Sequence, residues 1–211
     1  MNILIHPTYF PTVAHFIAIA NAKTVIFEAA DNFQKQTYRN RMYIYGANGK
    51  LLLNIPVKHN KNKQKTPYKS IEIENVENWQ NQHWRSIVSA YKSSPFFEYY
   101  EDDFKDLFTS PQNSLYKLNI EIFKRLLECI ELDINLQYTT TFETTPTDSV
   151  DLRHLANAKK ENTLTTEPYT QVFGDKFGYL NNLSVLDLLF NEGPNTLNYL
   201  ESQDKFWRCK P

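Results

Sequence analysis

Apolar and polar positions follow two different periods along the chain, and each change of period marks an element. Ile3-Leu4-Ile5 is an unbroken apolar run stopped by His6-Pro7, which predicts a short buried strand. After Pro11, Thr12 stands as a helix N-cap, and Phe16, Ile17 and Ala20 fall on one face of a helix over residues 12–22. Thr24-Val25-Ile26-Phe27-Glu28 is β-branched and aromatic and reads as a second strand. A strand, a helix and a strand this close together open a parallel βαβ unit, since parallel neighbours require a crossover.

The period then shortens. Met42-Tyr43-Ile44-Tyr45 and Leu51-Leu52-Leu53-Asn54-Ile55 flank Gly46-Ala47-Asn48-Gly49-Lys50, the pattern of a β-hairpin. A strand-like Ile71-Glu72-Ile73 follows, and then Trp84, Ile87, Val88 and Tyr91 fall at helical spacing before Pro95. Leu115, Leu118, Ile122, Phe123, Leu126, Leu127 and Ile130 form the clearest amphipathic helix, with Ser110-Pro111 as its expected opening. Residues 134–138 read as another strand. The Thr-rich run 139–148 reads as a linker, and Leu183 to Phe190 as a helix stopped by Gly193-Pro194. The expectation is an α/β fold with a parallel βαβ start, a β-hairpin insertion and a helical C-terminal half. Its parts are an α/β core over 1–138, the linker 139–148 and a helical extension over 149–211 packed on the core.

Composition narrows the chemistry. The chain has 211 residues, of which 14% are aromatic, enough bulky apolar material to exclude global disorder. Its 23 basic and 24 acidic residues nearly cancel, which argues against a nucleic-acid partner. No apolar run reaches the length of a membrane helix, and the opening residues lack a secretory signal, so the expected location is cytoplasmic. Cys129 and Cys209 suggest neither a disulfide framework nor a zinc site, and no metal-ligand spacing occurs. With only five glycines there is no dinucleotide fingerprint, and the gap between Gly46 and Gly49 is too short for a phosphate loop, so no cofactor is identified.

Several constellations remain. His6 and His15 bracket the turn between the first strand and the first helix, where helix-end amides favour anions. These imidazoles are the candidate catalytic groups, against a reading as a strand-end polar group and a partly buried helix residue. Tyr38-Arg39-Asn40-Arg41 offers two guanidiniums around an amide. On an alternating strand Arg39 and Arg41 share one face, either to clamp a carboxylate or phosphate or simply to face solvent. Thr12, Arg39, Asn40 and Arg41 are thus the candidate ligand-binding residues. Lys58, Lys61, Lys63, Lys65 and Lys69 lie in a stretch free of acids, either a surface loop or an electropositive lid. Trp79 to Arg85 supplies aromatics with His83 and Arg85, for stacking on a sugar or base or for core packing. Glu101-Asp102-Asp103 reads as a solvated helix start. Ser184 and Asp187 have capping-box spacing rather than that of a hydrolase site.

Two resemblances bear on function. Thr12-Val13-Ala14-His15 is similar to the Thr/His-x-Gly-His turn of nucleotidylyltransferases, with Ala14 in place of the glycine. More extensively, Pro7-Thr8-Tyr9-Phe10-Pro11, Tyr38 to Arg41, Ile55-Pro56-Val57, Trp79 to Trp84 and Ser94-Pro95-Phe96-Phe97 occur in an order that resembles the WbqC-like protein family. Tyr169 to Phe173 and Leu183 to Gly193 complete that order. The resemblance implies a bacterial protein. It also implies an aminoacyl- or acyl-type transfer in surface-polysaccharide (O-antigen) biosynthesis. His6 stands where many members have Gln, and Ala29-Ala30 falls where others carry acids after the second strand, which would remove a metal or acid/base site. The leading expectation is a group transferase acting on a nucleotide-linked sugar or similar phosphate-bearing metabolite. A non-catalytic binding or scaffold protein and a nucleotidylyltransferase-like enzyme are the alternatives.

Overall fold

The first apolar run forms β1 (Asn2–Ile5), α1 covers Val13–Ala20, and β2 (Thr24–Phe27) lies parallel to β1 with Ile3 opposite Val25 and Ile5 opposite Phe27. Alternation turns Ile3, Ile5, Val25 and Phe27 to one face, where all four are buried. There Phe27 meets Phe123 edge-on at 4.8 Å between centroids, and Phe16 of α1 packs on the same ring at 5.8 Å. The description comes from a computed structural model and covers residues 1–58, 65–159 and 165–203. Lys61, Lys63 and Cys209 lie outside the described residues.

Two further strands extend the sheet. After the hairpin of β3 (Arg41–Gly46) and β4 (Gly49–Asn54), the helices α2 (Trp79–Tyr91), α3 (Phe97–Thr109) and α4 (Leu115–Ile130) pack in succession. Then β5 (Asn135–Tyr138) pairs parallel to β2 and β6 (Val150–Asp151) parallel to β1, giving the order β5-β2-β1-β6. The Thr-rich run therefore joins the two outer strands of one sheet. Leu4 and Ile26, on the face away from α1, look onto a shallow cleft walled by that run. The chain ends in α5 (Gly174–Phe177), α6 (Val185–Glu192) and α7 (Thr196–Ser202), so the architecture is α/β with a separate antiparallel hairpin and helices in the C-terminal half.

Four expectations change. Residues 71–73 make only isolated bridges, Val57 to Ile73 and Glu72 to Ser114; their alternation buries Ile71 and Ile73 without building a ladder. The amphipathic helix opens at Ser114, whose Oγ accepts the Lys117 N–H, while Ser110 instead closes α3. Arg39 precedes β3, so Arg39 and Arg41 are not neighbours on one strand face. Glu101, Asp102 and Asp103 lie within α3, which starts earlier, at Phe97. None of the described helices is long and apolar enough to cross a membrane.

Candidate functional site

In the four-stranded sheet all strands run the same way, so their C-terminal ends share one edge. From β1 the chain crosses through α1 to β2 on one side and later places β6 on the other. The strand order therefore reverses between β1 and β6, the position at which open α/β sheets hold ligands. Each strand delivers a polar residue there: His6 follows β1, Glu28 follows β2, Thr139 follows β5 and Arg153 lies just beyond β6. A cavity of about 230 Å³ opens at this point, lined among others by His6, Asp31, Thr37, Arg39, Arg153 and His154.

Three of these side chains form a buried unit. Arg39 Nη2 donates to Asp31 Oδ2 at 2.8 Å and to His6 Nε2 at 2.7 Å, and Asp31 Oδ2 is 3.4 Å from His6 Nε2. A guanidinium can only donate, so Nε2 accepts and the proton of a neutral His6 sits on Nδ1. Burial, then the charges of Arg39 and Arg153 and the nearby His15, hold the His6 pKa well below its usual value, while the Glu28 backbone acts weakly the other way. Burial also lowers the Arg39 pKa, opposed by Tyr68, Asp31 and Glu28, and a guanidinium has ample margin to stay charged. The Tyr68 ring lies 5.5 Å from the guanidinium carbon. Arg39 Nε makes no hydrogen bond among the described residues, and the Glu28 backbone is a weak acceptor for the His6 imidazole. The unit thus holds a donor, Arg39 Nε, with no acceptor of its own.

Arg153 is occupied. Its Nε and Nη2 hold Asp151, its Nη1 reaches Glu28 Oε2 at 3.1 Å and the Glu143 carbonyl, and Nη2 also donates to the Thr144 carbonyl. All five donors are used, so this guanidinium clasps β6 and the Thr-rich run to the end of β2 rather than waiting for a ligand. Glu28, fully buried, is satisfied by Arg153, by Thr139 Oγ1 at 2.7 Å and by the Ala30 N–H.

The structure joins His6 and Arg39 but separates the other candidates from them. Thr12, His15, Asn40 and Arg41 do not line the cavity. His15 is buried at the start of α1, where its Nδ1 accepts from the Thr12 N–H and lies 2.9 Å from Thr12 Oγ1; burial, with a smaller contribution from His154, lowers its pKa to about 3. The helix-end amides expected to bind an anion are spent as well. Val13 N–H donates to the Leu183 carbonyl and Ala14 N–H to Asn182 Oδ1. Asn40 ties the hairpin through Asn54 Oδ1 and the Ile55 carbonyl. His83 accepts from Tyr9 Oη at 2.8 Å and packs against Trp79, so that aromatic segment is core. Ala29-Ala30 does not empty the turn after β2 of acids, because Glu28 and Asp31 flank it and both are buried. Sequence reading missed Glu28, Asp31, Thr37 and Arg153; their common signal is a polar residue at or just after the end of a strand or turn.

A family model described as the WbqC-like protein family matches residues 6–166, more than half of the chain and including His6, Asp31, Arg39 and Arg153. The chain belongs to the WbqC-like family. No curated protein and no solved structure matches it. The matched span of this WbqC-like chain contains β2, β5 and β6 of the parallel sheet, begins at His6 just after β1, and contains all the cavity residues named above.

Proposed function

We propose that the crevice at the β1/β6 reversal performs a group transfer, of aminoacyl or other acyl type, onto a nucleotide-linked sugar or a similar anionic metabolite. The observation that carries this reading is the His6–Arg39–Asp31 unit, in which Arg39 Nε has no acceptor among the described residues and the neutral imidazole carries its proton on Nδ1. Donors fixed in a buried site suit an oxygen on which negative charge grows, as when a nucleophile adds to an acyl carbon. In such a step the acceptor's lone pair forms the new bond to carbon. The leaving group departs with the bonding pair, and Asp31, the carboxylate lining the cavity, is placed to take the acceptor's proton. Charges around the cavity nearly cancel, since Asp31 faces Arg39 while Asp151 and Glu28 hold Arg153, so selectivity would come from directed donors rather than net positive charge.

A thermal-shift screen of nucleotide-sugars, nucleotides and inorganic phosphate at low salt tests this reading. Ligand at about 100 times Kd adds about 2.7 kcal/mol of stability. The expected result is a shift with a nucleotide-sugar that is lost in His6→Leu and in Arg39→Lys, which keeps the charge but not the fork. Shifts equal in the variants and the parent protein would contradict it.

A further inference from the structure

Beside the catalytic edge, the groove between β5 and α4 has a composition of its own. Its cavity of about 330 Å³ is lined by Lys69, Tyr116, Lys117, Ile120, Glu121 and Tyr138. Tyr138 closes β5 and is 45% exposed, an unusual state for so large a ring, with its inner side leaning on Phe27 at 5.9 Å. Tyr116 stands on α4, edge-on to Tyr68, the ring that also packs against Arg39. Its hydroxyl is shielded from solvent yet has no hydrogen-bond partner among the described residues. Burial first, then Tyr138 and Glu28, push its pKa up to about 12, so it remains a donor at neutral pH.

The charges of the groove are asymmetric. Glu121 is engaged by Arg125 through a 2.9 Å contact to Nε. Lys69 and Lys117 are exposed and form no ion pair among the described residues, and the Lys69 ammonium sits 5.9 Å from the Tyr116 ring centre. Two free ammonium groups at the rim, two aromatic rings, an isoleucine and an unsatisfied hydroxyl suit a planar ring that carries phosphate. The volume lies at the small end of ligand sites and fits one nucleotide rather than an oligomer.

We infer that this groove is a nucleotide subsite, with the base against Tyr138 and Tyr116 and the phosphates at Lys69 and Lys117. The inference rests on the transferase reading for its purpose, since it assigns the nucleotide half of the acceptor and leaves the reacting half to the His6 crevice. Tyr68, fully buried and lining neither cavity, touches both Arg39 and Tyr116 and so links the two sites through the core.

Calorimetric titration of the full chain with UDP, ADP, uridine and inorganic phosphate tests it. UDP or ADP binds, and uridine or phosphate alone binds far more weakly, because each makes half of the contacts. Tyr138→Ala weakens the nucleotide about tenfold, the typical worth of one base–aromatic contact. Lys69→Gln and Lys117→Gln each weaken it about threefold, and added salt reduces both effects. Nucleotide binding that ignores these three variants but falls in Arg39→Lys overturns the groove assignment and leaves the transferase reading standing. Binding as strong for phosphate alone overturns the aromatic half of the site. No binding of either nucleotide overturns the inference and also removes the nucleotide-linked acceptor from the proposed function.

Discussion

Asp187 shows how far a residue's role can lie from its sequence signature. Its spacing after Ser184 reads as a capping box, and Ser184 does cap α6, its Oγ accepting the Leu186 N–H. Asp187, however, is fully buried and receives Tyr91 Oη, Tyr169 Oη and Gln171 Nε2, so it anchors the 169–171 segment rather than the helix start. Burial raises its pKa to about 6, against the three hydrogen bonds. A carboxyl whose folded value exceeds the unfolded value of about 3.9 favours the fold most at low pH and loses that contribution as pH rises from about 4 to 6, by about 3 kcal/mol. Histidines act in the opposite sense. Burial lowers His15 to about 3 and His83 to about 4, and it lowers His6 as well. Each favours the fold above about pH 6.5 and loses its contribution as pH falls toward the folded value, about 2 kcal/mol apiece for His15 and His83 between pH 6.5 and 5. The histidines outweigh the aspartate, so urea midpoints should fall from pH 7 to pH 5, and Asp187→Asn should make that fall steeper. A midpoint that rises on acidification would show that these imidazoles are not buried neutral.

At the scale of elements, caps and close approaches fix the ends. Ser184→Ala should cost about 1 kcal/mol, the usual worth of an N-cap, and leave ligand affinity unchanged. Gly193 ends α6 with φ +53°, and a methyl group there would lie 2.5 Å from the Phe96 ring. Gly193→Ala should therefore cost about 2–4 kcal/mol from the left-handed backbone and the clash together, read as a lowered denaturation midpoint. The periodic segments were legible because periodicity is local: β1, α1, β2, the hairpin, α4 and α6 all stand near their expected positions. Ends were less so. Ser110 is taken up in closing α3, and the bonds of Asn113 and Leu115 to residues 71 and 73 set the start of α4 at Ser114. Ile71-Glu72-Ile73 alternates like a strand, but among the described residues it makes only isolated bridges, to Val57 and Ser114.

For the whole molecule, the decisive feature is the order β5-β2-β1-β6, which a short two-residue strand completes and no local pattern announces. That order gathers His6, Asp31, Arg39 and Arg153, residues distant in sequence, at one crevice. Half of the candidate site was readable: His6 and Arg39 stand out as a strand-end imidazole and a guanidinium before a hairpin. Asp31 and Arg153 were not, because their meaning depends on contacts between turns that only the closed sheet brings together. The turn between β1 and α1 misled for the same reason, since residues 182 and 183 arrive from the far end of the chain to take its amides. The most direct test of the crevice is an NMR titration of the isotopically labelled full chain with a nucleotide-linked sugar. Amide shifts should appear at residues 5–8, 28–31, 37–39 and 151–154 around the crevice for the reacting half, and at residues 69, 116–121 and 138 for the nucleotide. Shifts confined to the cavity between α3 and α4 that Tyr99, Asp103, Arg125 and Cys129 line, or absent altogether at saturating ligand, would contradict the account.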